Sequence, residues 1–109
     1  MISRQWRGLA KSSHADRYVE HLRAETFPAL QEIPGFVSAA ILRRNVPNGV
    51  EFLIETTWES IDAIQGFAGT DVETAVVPPK VQEMMVEYDN RVRHYKIVTQ
   101  FREIGPAER

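Results

Sequence analysis

At 109 residues, 43% of them hydrophobic and 26% charged, the chain has the size and make-up of one globular domain, and disordered or fibrous classes are excluded. A formal net charge of −2 with no concentrated basic face argues against nucleic acid as a partner. The absence of cysteine excludes disulfides and thiolate chemistry, and no apolar run approaches the ~20 residues of a membrane span or the core of a signal peptide, so a cytoplasmic protein is expected.

Residues 2–9 read as a first strand that places Ile2, Arg4 and Trp6 on one face. Ser13-His14-Ala15-Asp16 has the form of a capping box. The helix expected after it carries Ala15, Tyr18, Val19, Leu22, Thr26, Ala29, Leu30 and Ile33 along one side. Pro28 lies inside this pattern, so a kink or restart is expected near Thr26 and Phe27. Ile33-Pro34-Gly35 ends it.

Residues 36–45 read as a second strand with apolar groups on both faces: Val37, Ala39 and Ile41 against Phe36, Ala40 and Leu42. Val46-Pro47-Asn48-Gly49-Val50 is a tight-turn signal leading into a third strand. There Val50, Phe52, Ile54, Thr56 and Trp58 alternate with Glu51, Glu55 and Thr57. Ser60 stands as the N-cap of a short helix through Ile61, Ile64, Phe67 and Ala68. Thr70-Asp71-Val72-Glu73 reads as another cap, Pro78-Pro79 as a break, and Val81 to Tyr88 as helical or irregular. Residues 91–101 are the fourth predicted strand, and 1–101 form the domain ahead of a tail over 102–109.

This β-α-β-β-α-β order fits an α+β, ferredoxin-like fold with a four-stranded antiparallel sheet and helices on one face. With apolar residues on both sides of the second strand, the open sheet face is expected to be covered by a second copy in a homodimer. His94 is the best general base on offer, with a structural hydrogen bond as the plainer reading. His14 and His21 fall off the helix's apolar stripe and read as solvated. Trp58, Trp6, Phe67 and Tyr18 read as pocket walls or as plain core. Arg43 is either an anion contact or an edge charge, and Met84-Met85 a lid or a gap filler. No metal site, P-loop, dinucleotide fingerprint or serine elbow is present.

With these residues in hand, the chain resembles the antibiotic biosynthesis monooxygenase superfamily of dimeric α+β barrel proteins. The matching pieces run from Met1-Ile2 through Trp6-Arg7-Gly8, Ile33-Pro34-Gly35-Phe36, Leu42-Arg43-Arg44, Glu51-Phe52-Leu53 and Trp58-Glu59-Ser60. They continue through Ile64 to Asp71, Ala75-Val76-Val77-Pro78 and Val92-Arg93-His94-Tyr95, covering residues 1 to about 98. The resemblance implies a homodimer with a cleft between helices and sheet in each subunit. It also implies oxidation of a phenolic, quinol or polycyclic aromatic substrate by dioxygen, with no metal or flavin cofactor. On that reading His94 helps deprotonate the substrate, Trp58 and Phe67 hold its ring, and Arg43 favours the phenolate. Haem-degrading relatives use a first-strand Asn, a Trp and a His; the matching positions here hold no Asn, Phe67 and Val77, so a haem complex is not expected. A small-ligand-binding or stress-response dimer without chemistry is the alternative.

Overall fold

The computed structural model describes residues 1–101; the predicted tail, 102–109, lies outside them. The fold is α+β and ferredoxin-like, built on one antiparallel sheet. The strands are β1 (Ile2–Ala10), β2 (Phe36–Val46), β3 (Gly49–Trp58), β4 (Met85–Tyr88) and β5 (Arg93–Lys96), in spatial order β2-β3-β1-β4, with β5 also on β1. β1 is central. Its one edge pairs with β3 from Ile2↔Trp58 to Ala10↔Val50. Its other edge is shared: β5 takes Ile2 to Gln5 and β4 takes Gly8 to Ala10.

That sharing corrects two expectations. The fourth strand is Arg93–Lys96 rather than 91–101, and the segment expected to be helical or irregular supplies β4. Asp89 and Asn90 break what would be one long strand. Asp89 N–H bonds Arg7 O at 3.0 Å, and Ala75 N–H bonds Asn90 O at 2.9 Å. The chain thus leaves the sheet edge at the level of Trp6 and Arg7 and rejoins it lower down. Pro79 opens a one-turn helix, α4 (Pro79–Gln82), because its missing N–H falls where a helix has no partner for one.

Between β1 and β2 the chain forms α1 (Ala15–His21), a π-helical turn (Leu22–Thr26) and α2 (Phe27–Gln31) without interruption. Pro28 lacks the N–H for a regular i→i−4 bond, and the widened turn directly before it absorbs the defect. The kink expected there is therefore a π-turn. Ser13 makes no side-chain cap bond to this helix, since a 3₁₀ turn over Ser12–His14 intervenes. Ser60 does cap α3 (Ile61–Ala68), its Oγ accepting from Ala63 N–H at 3.1 Å. Asp71 caps no helix; its carboxylate accepts from Glu73 N–H and pairs with Arg91 at 3.1 Å.

Tyr18 and Leu22 pack on Phe52 and Ile54 in one core cluster that also takes in Met84 and Met85, while Leu30 and Ile64 pack on Trp58 in a second. The helices thus cover the β3 face read from the alternation. The β2 pattern resolves differently from its sequence period. The register shifts between Phe36 and Ser38, so Phe36 faces the helices together with Ala39 and Ile41. The opposite face is more polar than expected. Ser3 and Gln5 bond Glu55, and Glu51 accepts from both Arg7 and Arg44, at 2.7 and 2.6 Å. Among these ions stand Leu53 and its cross-strand neighbour Leu42, the latter 47% exposed.

Candidate active site

Between the helices and the sheet lies a cavity of about 250 Å³. Its sheet wall is Arg4, Trp6, Ile54 and Thr56; its helix wall includes Tyr18, His21, Leu22, Glu25, Thr26, Phe27 and Leu30; Phe67, Val76, Pro78, Val81 and Val92 close the rest. The lining is predominantly apolar with a few polar groups, the usual make-up of a small-molecule site.

Trp6 lies back over Gly8, whose hydrogen leaves the room; a Cβ there would meet the Trp6 ring at 2.4 Å. The indole N–H donates to Asp89 O at 2.8 Å, which fixes the ring against the wall 6.2 Å from Tyr18. Tyr18 in turn meets Phe52 edge-on at 4.9 Å. Burial pushes the Tyr18 phenol well up, so it stays protonated as a donor at neutral pH. Phe67 lines the cavity and stacks on Trp58 at 6.2 Å and 20°.

Trp58 lies outside the lining. It is fully buried, its N–H donating to Thr56 Oγ1 at 2.8 Å, and it backs Phe67 rather than meeting a ligand. Arg43 also lies outside, at the β2 edge, where it covers the Phe52 ring and pairs with Asp16 at 3.0 Å. His94 stands behind Arg4, its cross-strand partner on β5. Of the six site residues read from sequence, Trp6, Tyr18 and Phe67 meet at the cavity.

Arg4 lines it without having been singled out, and His21, read from the helical spacing as solvated, is instead buried in its lining. Arg4 is 4% exposed. Its Nη1 donates to Val72 O and to His94 Nε2 (3.0 Å), its Nη2 to Thr74 O (2.9 Å), and its guanidinium lies 5.6 Å from the centre of the Phe67 ring. An arginine has no acceptor, so His94 Nε2 must be unprotonated. Burial, then the Arg4 charge, lowers the His94 pKa below its ordinary 6.5, with Glu73 partly opposing. The signal in the sequence was an arginine between Ile2 and Trp6 on the strand's inward face.

His21 is 9% exposed at the junction of α1 and the π-turn. Its Nδ1 lies 3.2 Å from Glu25 Oε2, which also takes Lys80 Nζ at 2.7 Å. The Lys80 bond first, then His21, holds the Glu25 carboxyl below its ordinary range, so it is ionised at neutral pH. An ionised carboxylate only accepts, hence Nδ1 carries the imidazole proton and Nε2 is left as a base. The signal was His21 three residues after Tyr18 and four before Glu25. Among the described residues, no three His, Asp or Glu side chains cluster as metal ligands.

The His94 shift has a consequence for stability. A histidine with a lowered folded-state pKa contributes stability above its unfolded value, and that stability is lost as pH falls through the folded value. Below pH 6.5 protonation ends the bond from Arg4 and sets two cations side by side. Wild-type melting temperature is therefore expected to fall as pH drops below 6.5, and a His94→Gln variant to show a shallower decline there.

The antibiotic biosynthesis monooxygenase family model matches residues 1–79. The chain belongs to that family. No curated protein matches it. Among solved structures, a Bacillus cereus protein described as a candidate antibiotic biosynthesis monooxygenase is 17% identical, with a TM-score of 0.67 over 96% of this chain and 98% of that one. A Streptomyces coelicolor monooxygenase in complex with nanaomycin D is 15% identical, TM-score 0.62, over 95% and 91%. A haem degrader of Mycobacterium tuberculosis with two haems in its active site is 18% identical, TM-score 0.58, over 93% and 99%. At these identities the likeness establishes the fold alone, and the ligands belong to those proteins.

Proposed function

We propose that this family member is a cofactor-independent monooxygenase of small phenolic or quinol-like aromatics. The observation that carries the reading is an apolar, aromatic-walled cavity (Trp6, Tyr18, Phe67) with one carboxylate-oriented imidazole, His21, in its lining. At about 250 Å³ the cavity falls just below the usual range for ligand sites, ~300–1,000 Å³, which suits one or two fused rings better than a macrocycle.

In this chemistry the substrate supplies the electrons. His21 Nε2 accepts the phenolic proton, and the resulting anion is electron-rich enough to reduce dioxygen. A C–O bond forms at a ring carbon, the O–O bond breaks, and water leaves, so that a phenol and dioxygen become a quinone and water. Glu25 and Lys80 border a second hollow of about 290 Å³ shared with His21, a short route by which the proton can reach solvent. His94, behind Arg4, positions that guanidinium.

Oxygen uptake with a panel of naphthols and hydroquinones tests the reading, with mass spectrometry placing one atom of ¹⁸O₂ in the product. Ligands that bind and are recovered unaltered under air would overturn it in favour of a binding protein. A shifted Soret band on haem titration, abolished in His21→Ala, would replace it with haem chemistry.

We further propose that the protein works as a homodimer through the helix-free sheet face. Leu42, 47% exposed, Leu53 and Tyr95, 48% exposed, are apolar groups on or beside that face, and Val98 and Phe101 project almost fully into solvent after β5. Sedimentation at micromolar concentration is expected to give a dimer, and Leu53→Glu a monomer. The new carboxylate has Arg7 as its cross-strand neighbour, so the monomer should remain folded. A monomeric wild type would remove the proposal.

A further inference from the structure

We propose that Arg4 is an anion-binding group, so that the cavity selects aromatic ligands carrying a carboxylate, phenolate or enolate oxygen over their neutral counterparts. The inference builds on the reading of the cavity as an aromatic site and does not depend on oxidation taking place there.

Three features of Arg4 carry it. First, it is a 4%-exposed cation with no carboxylate within ion-pair distance among the described residues, whereas Arg7, Arg43, Arg44 and Arg91 each have one. A buried charge is costly unless something opposite balances it. Second, its protein partners are two carbonyls and a neutral imidazole, which accept hydrogen bonds and leave the charge uncompensated. These bonds take three of the guanidinium's five N–H groups. The N–H on Nε makes none of these bonds, and Arg4 is among the residues that line the cavity. Third, Phe67 and Thr56 flank it in the lining, so an aromatic ring on the apolar wall brings a substituent within its reach.

Anchoring the loop is a real part of what Arg4 does, since Val72 and Thr74 lie on the chain after α3. Its acceptors there are carbonyl oxygens and an imidazole nitrogen, none of which balances the charge. Burial lowers the guanidinium to about 10, which leaves it protonated across the neutral range.

The test uses two probes of one shape, neither of them oxidised by air: 2-naphthoate and 2-naphthamide, titrated calorimetrically into the full-length protein. Wild type is expected to bind the anion at least about tenfold tighter, the equivalent of one charge-assisted hydrogen bond. Arg4→Gln is expected to bring the two affinities together, and Arg4→Lys to retain a preference for the anion. Equal affinities in the wild type, no binding of the naphthoate, or an Arg4→Gln variant that weakens both probes by the same factor would overturn the proposal. If Arg4→Gln does not fold, the wild-type ratio and the Arg4→Lys ratio decide it. A protein that prefers naphthoate yet consumes no oxygen with any phenol would retain the anion site and lose only the monooxygenase reading.

Discussion

Replacing His21 by alanine is expected to lower turnover by about 10²- to 10⁴-fold, the usual contribution of a positioned general base. The expectation rests on geometry. His21 lines the cavity, its Nδ1 is committed to Glu25, and Glu25 is fixed in turn by Lys80, so one imidazole nitrogen is left free. Alanine is a strong helix former and His21 lies within a continuous helical run, so folding should be little affected. Added imidazole should restore part of the rate in His21→Ala, which a merely structural role would not allow. Glu25→Gln should give a smaller loss, because an amide oxygen can still accept from Nδ1 but no longer carries charge. His94→Ala provides the contrast. It should weaken ligand binding through Arg4 and leave the chemical step closer to wild type. A His21→Ala variant with full activity would remove His21 from the mechanism.

The largest structural effect is expected at Trp58. Its indole has no exposed surface and lies between Phe36, edge-on at 5.4 Å, and Phe67, stacked at 6.2 Å. Deleting a buried Trp typically costs about 3–5 kcal/mol. For a domain of this size that corresponds to a fall in melting temperature on the order of 20 °C. The loss should also reach the cavity, since Phe67 would no longer be backed and its ring could turn from the wall. Trp58→Phe should retain much of the packing and lose the bond to Thr56 Oγ1, giving a fall well short of the alanine variant. Differential scanning calorimetry separates the two, and an alanine variant melting within a few degrees of wild type would contradict this view of the core.

Much of this was legible in the chain. The alternation from Val50 to Trp58, the Ser60 cap and the stripe from Tyr18 to Leu30 fix three elements and the face on which they meet, because burying one side of a strand and one side of a helix imposes periods that survive in sequence. What was not legible depended on single residues outside those periods. One extra residue near Val37 reverses the faces of Phe36 relative to Ala39, and no pattern of period two announces a bulge. A break at Asp89-Asn90 divides one strand position between two short ones.

The site followed the same division. Aromatic walls sit at core spacing and could be found as such, and Trp6, Tyr18 and Phe67 were. Trp58 carries the same signal, yet only three-dimensional stacking reveals that it lies one layer behind Phe67. Arg4 and His21 are polar residues among apolar neighbours. Their surroundings come from chain segments some 70 residues distant for Arg4 and about 60 for the Lys80 that completes the His21 group.

The divided edge of the sheet bears on how such a protein can change over generations. Where β4 and β5 leave β1 uncovered, the chain from Glu73 to Ala75 docks against Asn90 to Val92 through main-chain bonds, Val92 N–H to Glu73 O at 2.8 Å among them. The same loop presents Val72 O and Thr74 O to Arg4. Backbone carbonyls are supplied by every residue type, so these grips do not record which side chains the loop carries. Substitutions there can reshape the rim of the cavity while Arg4 stays where it is. The molecule thus separates a margin whose side chains are free to change from a charge held by main-chain atoms, an arrangement in which a new ligand can be acquired without first dismantling the means of holding one.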